Sequence, residues 1–244
     1  MDIVNCYWEE KNLGLKTVEV TISPNDSFDE EGIVKIENEY DYVVIKVPMN
    51  HSDYNFGLTK LGYTLIETQL GISKTYKTFD FNDRFIKRLI PHISESVIDS
   101  EEDFEGVVSK ITPDMFTTDR IYLDKYFSSD SSCNRYQNWM RTEYQSNTAV
   151  IKKMYYKDIN VGYTLSREKD GVLRALLGGI YKEYQSLGIG ILTPAFHFIT
   201  AHNNNRPFEK MVTSISSNNF PVLELYNYLG FRIFQMTYVF IKHT

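Results

Sequence analysis

The stretch YKEYQSLGIG, residues 181–190, holds the residues best placed to grip an anion. Gln185, Gly188 and Gly190 follow a strand-like run and precede an apolar helical one. At a helix start the first amides have no intrahelical partner, and the helix dipole favours negative charge there. Glycine lets a phosphate close on the backbone and permits positive φ. A generic turn needs one glycine; two, behind a glutamine, point to a ligand. The alternative is a plain strand-to-helix turn. No Gly-Lys-Ser/Thr follows, so this is not the loop of a phosphate-binding NTPase. It is not a dinucleotide fingerprint either, because Thr193 stands where the third glycine belongs and the preceding strands read as antiparallel.

Other chemistry is sparse. Cys6 and Cys133 lie far apart and in no metal-ligand spacing, and no nucleophile elbow occurs, so a Ser/His or Cys/His hydrolase is disfavoured. Net charge is −6 and no basic run exists, which disfavours nucleic acid as a partner. Any anionic ligand must then be met by local arginines, lysines and backbone amides. No apolar stretch reaches the roughly 20 residues of a membrane span. The N-terminal MDIVNCYWEEKN is acidic and lacks an apolar signal core. A reduced, cytoplasmic protein is the expectation.

The elements that must position the glycine loop follow from periodicity. DYVVIKV (41–47) reads as a buried strand, NHSDYNFGLTKLGY as a short helix ending at Gly62, and TLIETQLGI as another strand. DFNDRFIKRLI reads as a helix capped by Asp80 or Asn82, SEEDFEGVVSKI as a second, and SCNRYQNWMRTEYQS as a third with Tyr136, Trp139, Met140 and Tyr144 at core spacing. TAVIKKMYY, NVGYTLSRE and VLRALLGGIY read as three strands, with a hairpin at Asp170-Gly171. Then come an apolar helix IGILTPAFHFITAHNN, a strand KMVTSIS, a helix FPVLELYNYLG closed by Gly230, and a long strand FRIFQMTYVFIKH. Pro194 should kink the first of these helices or shift its start.

NHSDYNFGLTKLGYTLIETQLGI parallels NNFPVLELYNYLGFRIFQMTYVF: each runs Asn, amphipathic helix, Leu-Gly-aromatic, strand. Leu58 stands where the later copy has Tyr226, and no glycine loop precedes it. Residues 1–75 therefore read as a degenerate half-copy ahead of a unit at 76–244. The alternative is that helix–Gly–aromatic–strand is simply a common junction.

IYKEYQSLGIG resembles the acetyl-CoA pyrophosphate loop of the GNAT superfamily of N-acetyltransferases, with Gln185, Gly188 and Gly190 in its three positions. NFPVLELYNYLGF, residues 219–231, is similar to that family's later motif, with Asn219, Leu225, Tyr226, Gly230 and Phe231 in register. The resemblance covers roughly residues 76–244. The whole chain resembles the branch that acetylates amino sugars linked to dTDP, through YWEEKNLGLKTVEVTI, LGYTLIETQLGIS and MFTTDRIYLDKYF…RYQNWM.

The resemblance implies an α/β (α+β) GNAT fold: a mixed central sheet flanked by helices, with a smaller N-terminal partial GNAT-like α/β domain. It implies acetyl-CoA as cofactor and a primary amine as acceptor, in a nucleotide-linked amino sugar used for cell-surface (O-antigen, lipopolysaccharide) precursors. Gln185, Ser186, Leu187, Gly188, Ile189, Gly190 and Ile191 would hold the pyrophosphate through their amides. Gly179 and Ile180 would lie beside the pantetheine arm, the Ile180 amide donating to the thioester oxygen, and Asn219 would contact the arm. Gly178 and Gly179 suit close backbone approach, or mark a β-bulge. Tyr226 sits where the family places its general acid; helix packing is its other reading. An amine near pKa 8 needs no strong base and water serves; Asp119, Glu183 and His197 are the side-chain candidates. Arg120, ahead of Arg135, Arg141 and Arg174, is the candidate for the dTDP diphosphate, and Phe116, Tyr122 and Tyr126 for the thymine. A homodimer stays open. Two rivals remain: a GNAT enzyme of another amine (peptide N-terminus, polyamine, antibiotic), which an acidic acceptor groove would favour, and a non-catalytic acyl-CoA sensor.

Overall fold

The β-branched run at 42–48 becomes a strand with Tyr42, Val43, Val44 and Ile45 fully buried, because both of its faces are covered. The computed structural model describes residues 1–244. In chain order the strands are β1 (Asp2–Asn5), β2 (Thr17–Thr21), β3 (Tyr42–Pro48), β4 (Thr64–Thr75), β5 (Ile93–Val97), β6 (Val150–Tyr156), β7 (Ile159–Lys169), β8 (Val172–Ile180), β9 (Lys210–Ser216) and β10 (Arg232–His243). They form one mixed sheet in the order β1-β2-β3-β10-β4-β9-β8-β7-β6-β5. The helices are α1 (Tyr7–Leu13), α2 (Glu30–Glu37), α3 (Ser52–Lys60), α4 (Arg84–Leu89), α5 (Glu101–Val108), α6 (Arg120–Leu123), α7 (Ser129–Ser146), α8 (Leu192–Asn203) and α9 (Phe220–Tyr228). None is long and apolar enough to cross a membrane.

Local chemistry sets the element ends. Ser100 and Ser128 accept from the third amide of α5 and α7. At α4 the cap is Asp83, not Asp80 or Asn82: its Oδ1 accepts from Phe85 N and Ile86 N at 2.9 and 3.1 Å. Asp80 is occupied one step earlier, turning the chain through Asn82 N. Asp170 and Gly171 both take positive φ, as the expected hairpin requires. The glycine stretch begins as a 3₁₀ turn over Lys182–Leu187, and α8 starts only at Leu192. That shift of start puts Pro194 in the first turn, where an N–H would lack an acceptor anyway. The rest of α8 is apolar and almost wholly buried against the sheet.

One sheet face carries α4, α8 and α9 over a core that includes Leu70, Ile72, Met211, Ile215, Phe196 and Phe198. The opposite face carries α5 and α7 over Ile151, Tyr163 and Leu165. Toward the other end, α2 and α3 cover Val18, Val20 and Ile45, while Ile121 of α6 meets Tyr42 and Val44 on the reverse side.

β4 and β10 exchange places. The chain leaves β3, passes through α3, and enters β4 beyond β10; it leaves β9, passes through α9, and enters β10 beyond β4. Register makes the relation quantitative. Gly62 and Gly230, 168 residues apart, both have positive φ and both close their helices. The same offset converts the pair Gln69↔Ser216 into Thr237↔Pro48. Gln69 and Thr237 face each other across β4 and β10, on the pseudo-twofold axis. The stretches α3–β4 and α9–β10 thus correspond in register about that axis. Residues 1–75 and 76–244 share one sheet, because β10 lies between β3 and β4.

A buried ionic cluster ties α1 to the face carrying α7. Glu9, 1% exposed, accepts from Arg135 Nε at 2.5 Å and Arg120 Nη2 at 3.3 Å. Asp119 lies 3.8 Å from Arg135 and accepts from Tyr136 Oη and Ser132 Oγ. Removing one member of a buried pair leaves the other charge uncompensated. Glu9→Ala should therefore lower unfolding stability by about 3–5 kcal/mol, read from the urea midpoint. A midpoint within error of wild type would mean that water reaches the two guanidiniums.

Candidate active site

The site begins where two parallel strands part. β8 pairs with β9 only over Val172–Arg174, opposite Lys210–Val212, although both strands continue. β8 stays bonded to β7 as far as Ile180, and a bulge opposite Leu165 and Ser166 adds Leu176. β9 stays bonded to β4 through Ser216. The wedge between them opens a cavity of about 590 Å³ reaching both faces of the sheet. Tyr181 N donates back to Val161 O at 2.9 Å. Strand alternation therefore turns the N–H groups of Gly178 and Ile180 to the wedge. The two glycines are crowded as well as exposed to the wedge: a Cβ on Gly178 would stand 3.1 Å from Tyr163 O, and one on Gly179 3.1 Å from Met115 Cε. Across the ladder, Gly162 is glycine because a Cβ there would stand 2.2 Å from Gly179 O.

The glycine loop lies at one mouth. Gln185 folds back, its Nε2 donating to Ile180 O at 3.4 Å. The N–H groups of Gly188, Ile189, Gly190 and Ile191 have no acceptor within the chain. Successive bare amides beside a helix start make an anion nest. Gly188 has φ +68° and a Cβ there would meet nothing within 4 Å, so backbone conformation requires the glycine and the space beside it is open. Gly190 has no such need; a Cβ would sit 3.6 Å from Leu225. Of the expected loop contacts, Gln185 and Gly190 line the cavity. Ser186, Leu187 and Gly188 are exposed outside the lining, and Ile189 and Ile191 turn toward the core.

Gly179, Ile180, Asn219 and Tyr226 also line the cavity. Asn219 precedes α9 and its side chain bonds to nothing in the chain. Tyr226 packs edge-to-face on Phe231, ring centroids 4.8 Å apart. Burial pushes its phenol above the ordinary value, the nearby Thr213 hydroxyl pulling the other way. The hydroxyl therefore stays protonated through the physiological range and can donate. Its ring belongs to the core and the residue also lines the cavity.

The opposite mouth is walled by α7 and the segment before α6. Phe116 stacks on Tyr136 with centroids 3.9 Å apart, and Trp139 stands beside them. The core spacing read along α7 thus serves partly as cavity wall. Asp119 and Glu67 are the carboxylates of the lining, which contains no lysine or arginine. Arg120 does not reach the cavity; it is 6% exposed and engaged with Glu9, which corrects its reading as a diphosphate ligand. Tyr122 and Tyr126 are likewise exposed and outside the lining, so of the expected aromatic residues only Phe116 is brought in. Glu183 is exposed and outside the lining. His197 borders the cavity, but its Nε2 is engaged with Thr164 Oγ1 at 2.9 Å and burial pushes its imidazole down to about 3. Glu67 was not singled out in the sequence, because β4 lies far from the glycine loop in the chain. The available signal was a glutamate set amid the apolar positions of TLIETQLGI.

No family model and no curated protein matches the sequence. Solved structures do. A functionally unknown conserved protein from Staphylococcus epidermidis is 13% identical, with a TM-score of 0.62 over 94% of this chain and 85% of that one. A GCN5-related N-acetyltransferase from Sphaerobacter thermophilus is 12% identical, with a TM-score of 0.59 over 99% of this chain and 75% of that one. A GCN5-related glucosamine N-acetyltransferase region in a fungal multi-domain β-N-acetylglucosaminidase is 12% identical, with a TM-score of 0.62 over 99% of this chain and 31% of that one. The mixed sheet and its helices are those of the GNAT fold, and at these identities the likeness is one of fold.

The nest can be tested through Gly188. Valine at φ +68° is strained by on the order of 1–2 kcal/mol, and its branch enters the open side of the nest. Gly188→Val should weaken coenzyme A binding at least tenfold by calorimetry while the protein remains folded. Unchanged affinity in a folded variant would sink the assignment of the loop.

Proposed function

We propose that the protein is an acetyl-CoA-dependent N-acetyltransferase acting on a primary amine. The observation that carries this reading is the wedge between β8 and β9, with bare amides 188–191 at one mouth and a protonated buried phenol at its wall. The GNAT fold implies acyl-CoA binding in general, and the nest fits a pyrophosphate. The amides of residues 188–191 hold that group, and Gly179, Asn219 and the Ile180 edge of β8 guide the arm. The Ile180 N–H donates to the oxygen that gains charge as the carbonyl is attacked. Tyr226 delivers a proton to the departing sulfur. We read residues 1–75 as a partial GNAT-like unit supporting a catalytic unit at 76–244, from the repeated α3–β4 and α9–β10 geometry.

The acceptor that the sequence resemblance names is a dTDP-linked amino-dideoxyhexose, and the fungal glucosamine-acetylating region supports an amino sugar. Charge favours a second reading. A diphosphate needs cations, whereas the cavity holds carboxylates and Arg120 is committed elsewhere. A free cationic amine, such as an unlinked amino sugar or a polyamine, fits the lining better.

A thiol-release assay with acetyl-CoA separates these readings. Glucosamine or spermidine should give a higher kcat/KM than a dTDP-linked amino sugar. The reverse order restores the nucleotide sugar, and silence with every amine removes the transferase reading. For the active amine, Tyr226→Phe should lower kcat by on the order of 10²- to 10⁴-fold. Its KM for acetyl-CoA and its Tm should stay near wild type, since the hydroxyl acts mainly in the transition state. A lower Tm with near-normal kcat would make Tyr226 a packing residue.

A further inference from the structure

Glu67 is an ionisable side chain that is 7% exposed yet lacks a cationic partner. Buried carboxylates are ordinarily paired, because an isolated charge is costly to desolvate. Asp119, the other carboxylate of the lining, has Arg135 at 3.8 Å and three hydrogen bonds, from Tyr136 Oη, Ser132 Oγ and Ile121 N. Glu67 has one: Gln69 Nε2 donates to its Oε1 at 3.0 Å. Its Oε2 bonds to nothing in the chain. Gln69 follows two positions along β4, on the same face, and holds the carboxylate in place.

Position matters as much as charge. Gln69 pairs with Ser216, the last residue of β9, and Glu67 lies just past that end, lining the cavity between Ile66 and Thr68, whose carbonyls accept from Asn218 Nδ2 and Ser217 N. Phe116, Tyr136 and Trp139 stand on the same cavity's wall, and aromatic faces attract cations. No lysine or arginine competes for the carboxylate there.

We propose that Glu67 is the acceptor site: its carboxylate binds the ammonium of a small cationic amine against the aromatic wall and takes its first proton. The proposal rests on the acetyl-transfer reading above. Proton and electron accounts close. The ammonium gives one proton to Glu67, which passes it to water. The freed nitrogen lone pair forms the C–N bond, the C–S bond breaks, and its electron pair leaves on sulfur. Sulfur takes the Tyr226 proton, and Tyr226 is restored by the second proton from nitrogen. A residue outside the catalytic stretch, in the half-copy, thus selects the acceptor and assists the reaction.

Glu67→Gln keeps the size of the side chain and an oxygen for Gln69, and removes only the charge. Spermidine and glucosamine titrated into protein saturated with coenzyme A should bind the wild type. At least one should bind Glu67→Gln tenfold or more weakly. With the better amine, kcat/KM should fall by on the order of 10²- to 10⁴-fold. Coenzyme A affinity should not change, and Tm should hold, since glutamine keeps the shape and the hydrogen bond to Gln69. Glu67→Asp should recover part of the amine affinity. Equal amine binding by Glu67→Gln, or no binding of either amine by the wild type, overturns the proposal. Loss of coenzyme A binding by the wild type is a different result: it removes the acetyl-transfer reading beneath it.

Discussion

The crossing of β4 and β10 is the constraint on which the rest of the molecule depends. Each strand is delivered by a helix that passes over the other, so the two halves cannot be drawn apart without breaking hydrogen-bond ladders on both sides of the axis. The crossing also decides what borders the wedge. β9 needs a neighbour on the edge facing away from β8, and β4, a strand from the first seventy-five residues, supplies it. Glu67 and Gln69 enter the cavity by that route alone.

The two halves have used the same geometry differently. In the C-terminal half the parallel pair β8–β9 separates after three residues of ladder. In the N-terminal half the parallel pair β2–β3 stays bonded from Thr17↔Tyr42 to Thr21↔Lys46. There the Phe28 ring packs so tightly over Gly57 that a Cβ would stand 2.1 Å from it, and Tyr54 Oη clamps Ser27 O at 2.7 Å. Leu58 replaces the phenol. An apolar plug gives packing and leaves no polar backbone to satisfy; an open wedge leaves amides bare and ready for a ligand. The buried cluster around Glu9 then joins the plugged half to α7, whose Tyr136 and Trp139 wall the open one.

Much of this was legible in the sequence because it is written locally. Gly62, Gly230 and the Asp170-Gly171 turn announce themselves by residue type, and the amphipathic helices by their period. The glycine loop was singled out by its spacing, and Tyr226 by the resemblance of NFPVLELYNYLGF to the later GNAT motif. What stayed hidden depends on partners distant in the chain. β1 is exposed at all four residues, so it carries no alternation to detect. Arg120 reads as a surface cation until Glu9 is placed 3.3 Å away. The charge of the acceptor mouth was unreadable, because it depends on β4 lying beside β9. The cap of α4 was misplaced by one residue of turn, since three acidic or amide side chains within DFND could each serve.

The strand order also sets a schedule for synthesis. β10 follows every other strand in the chain, yet it occupies the middle of the N-terminal half. Until it is made, β3 and β4 present bare inner edges to a crowded solution, and open edges template wrong pairings. Domains usually fold as units while translation proceeds, N-terminal first. Here the first half can condense around Val18, Ile45 and Leu58, but it cannot close its sheet until the last strand slides between its own two. That step joins residues very far apart in sequence, the slow kind of contact. A nascent chain stalled short of β10 is therefore a natural client for a chaperone that covers strand edges.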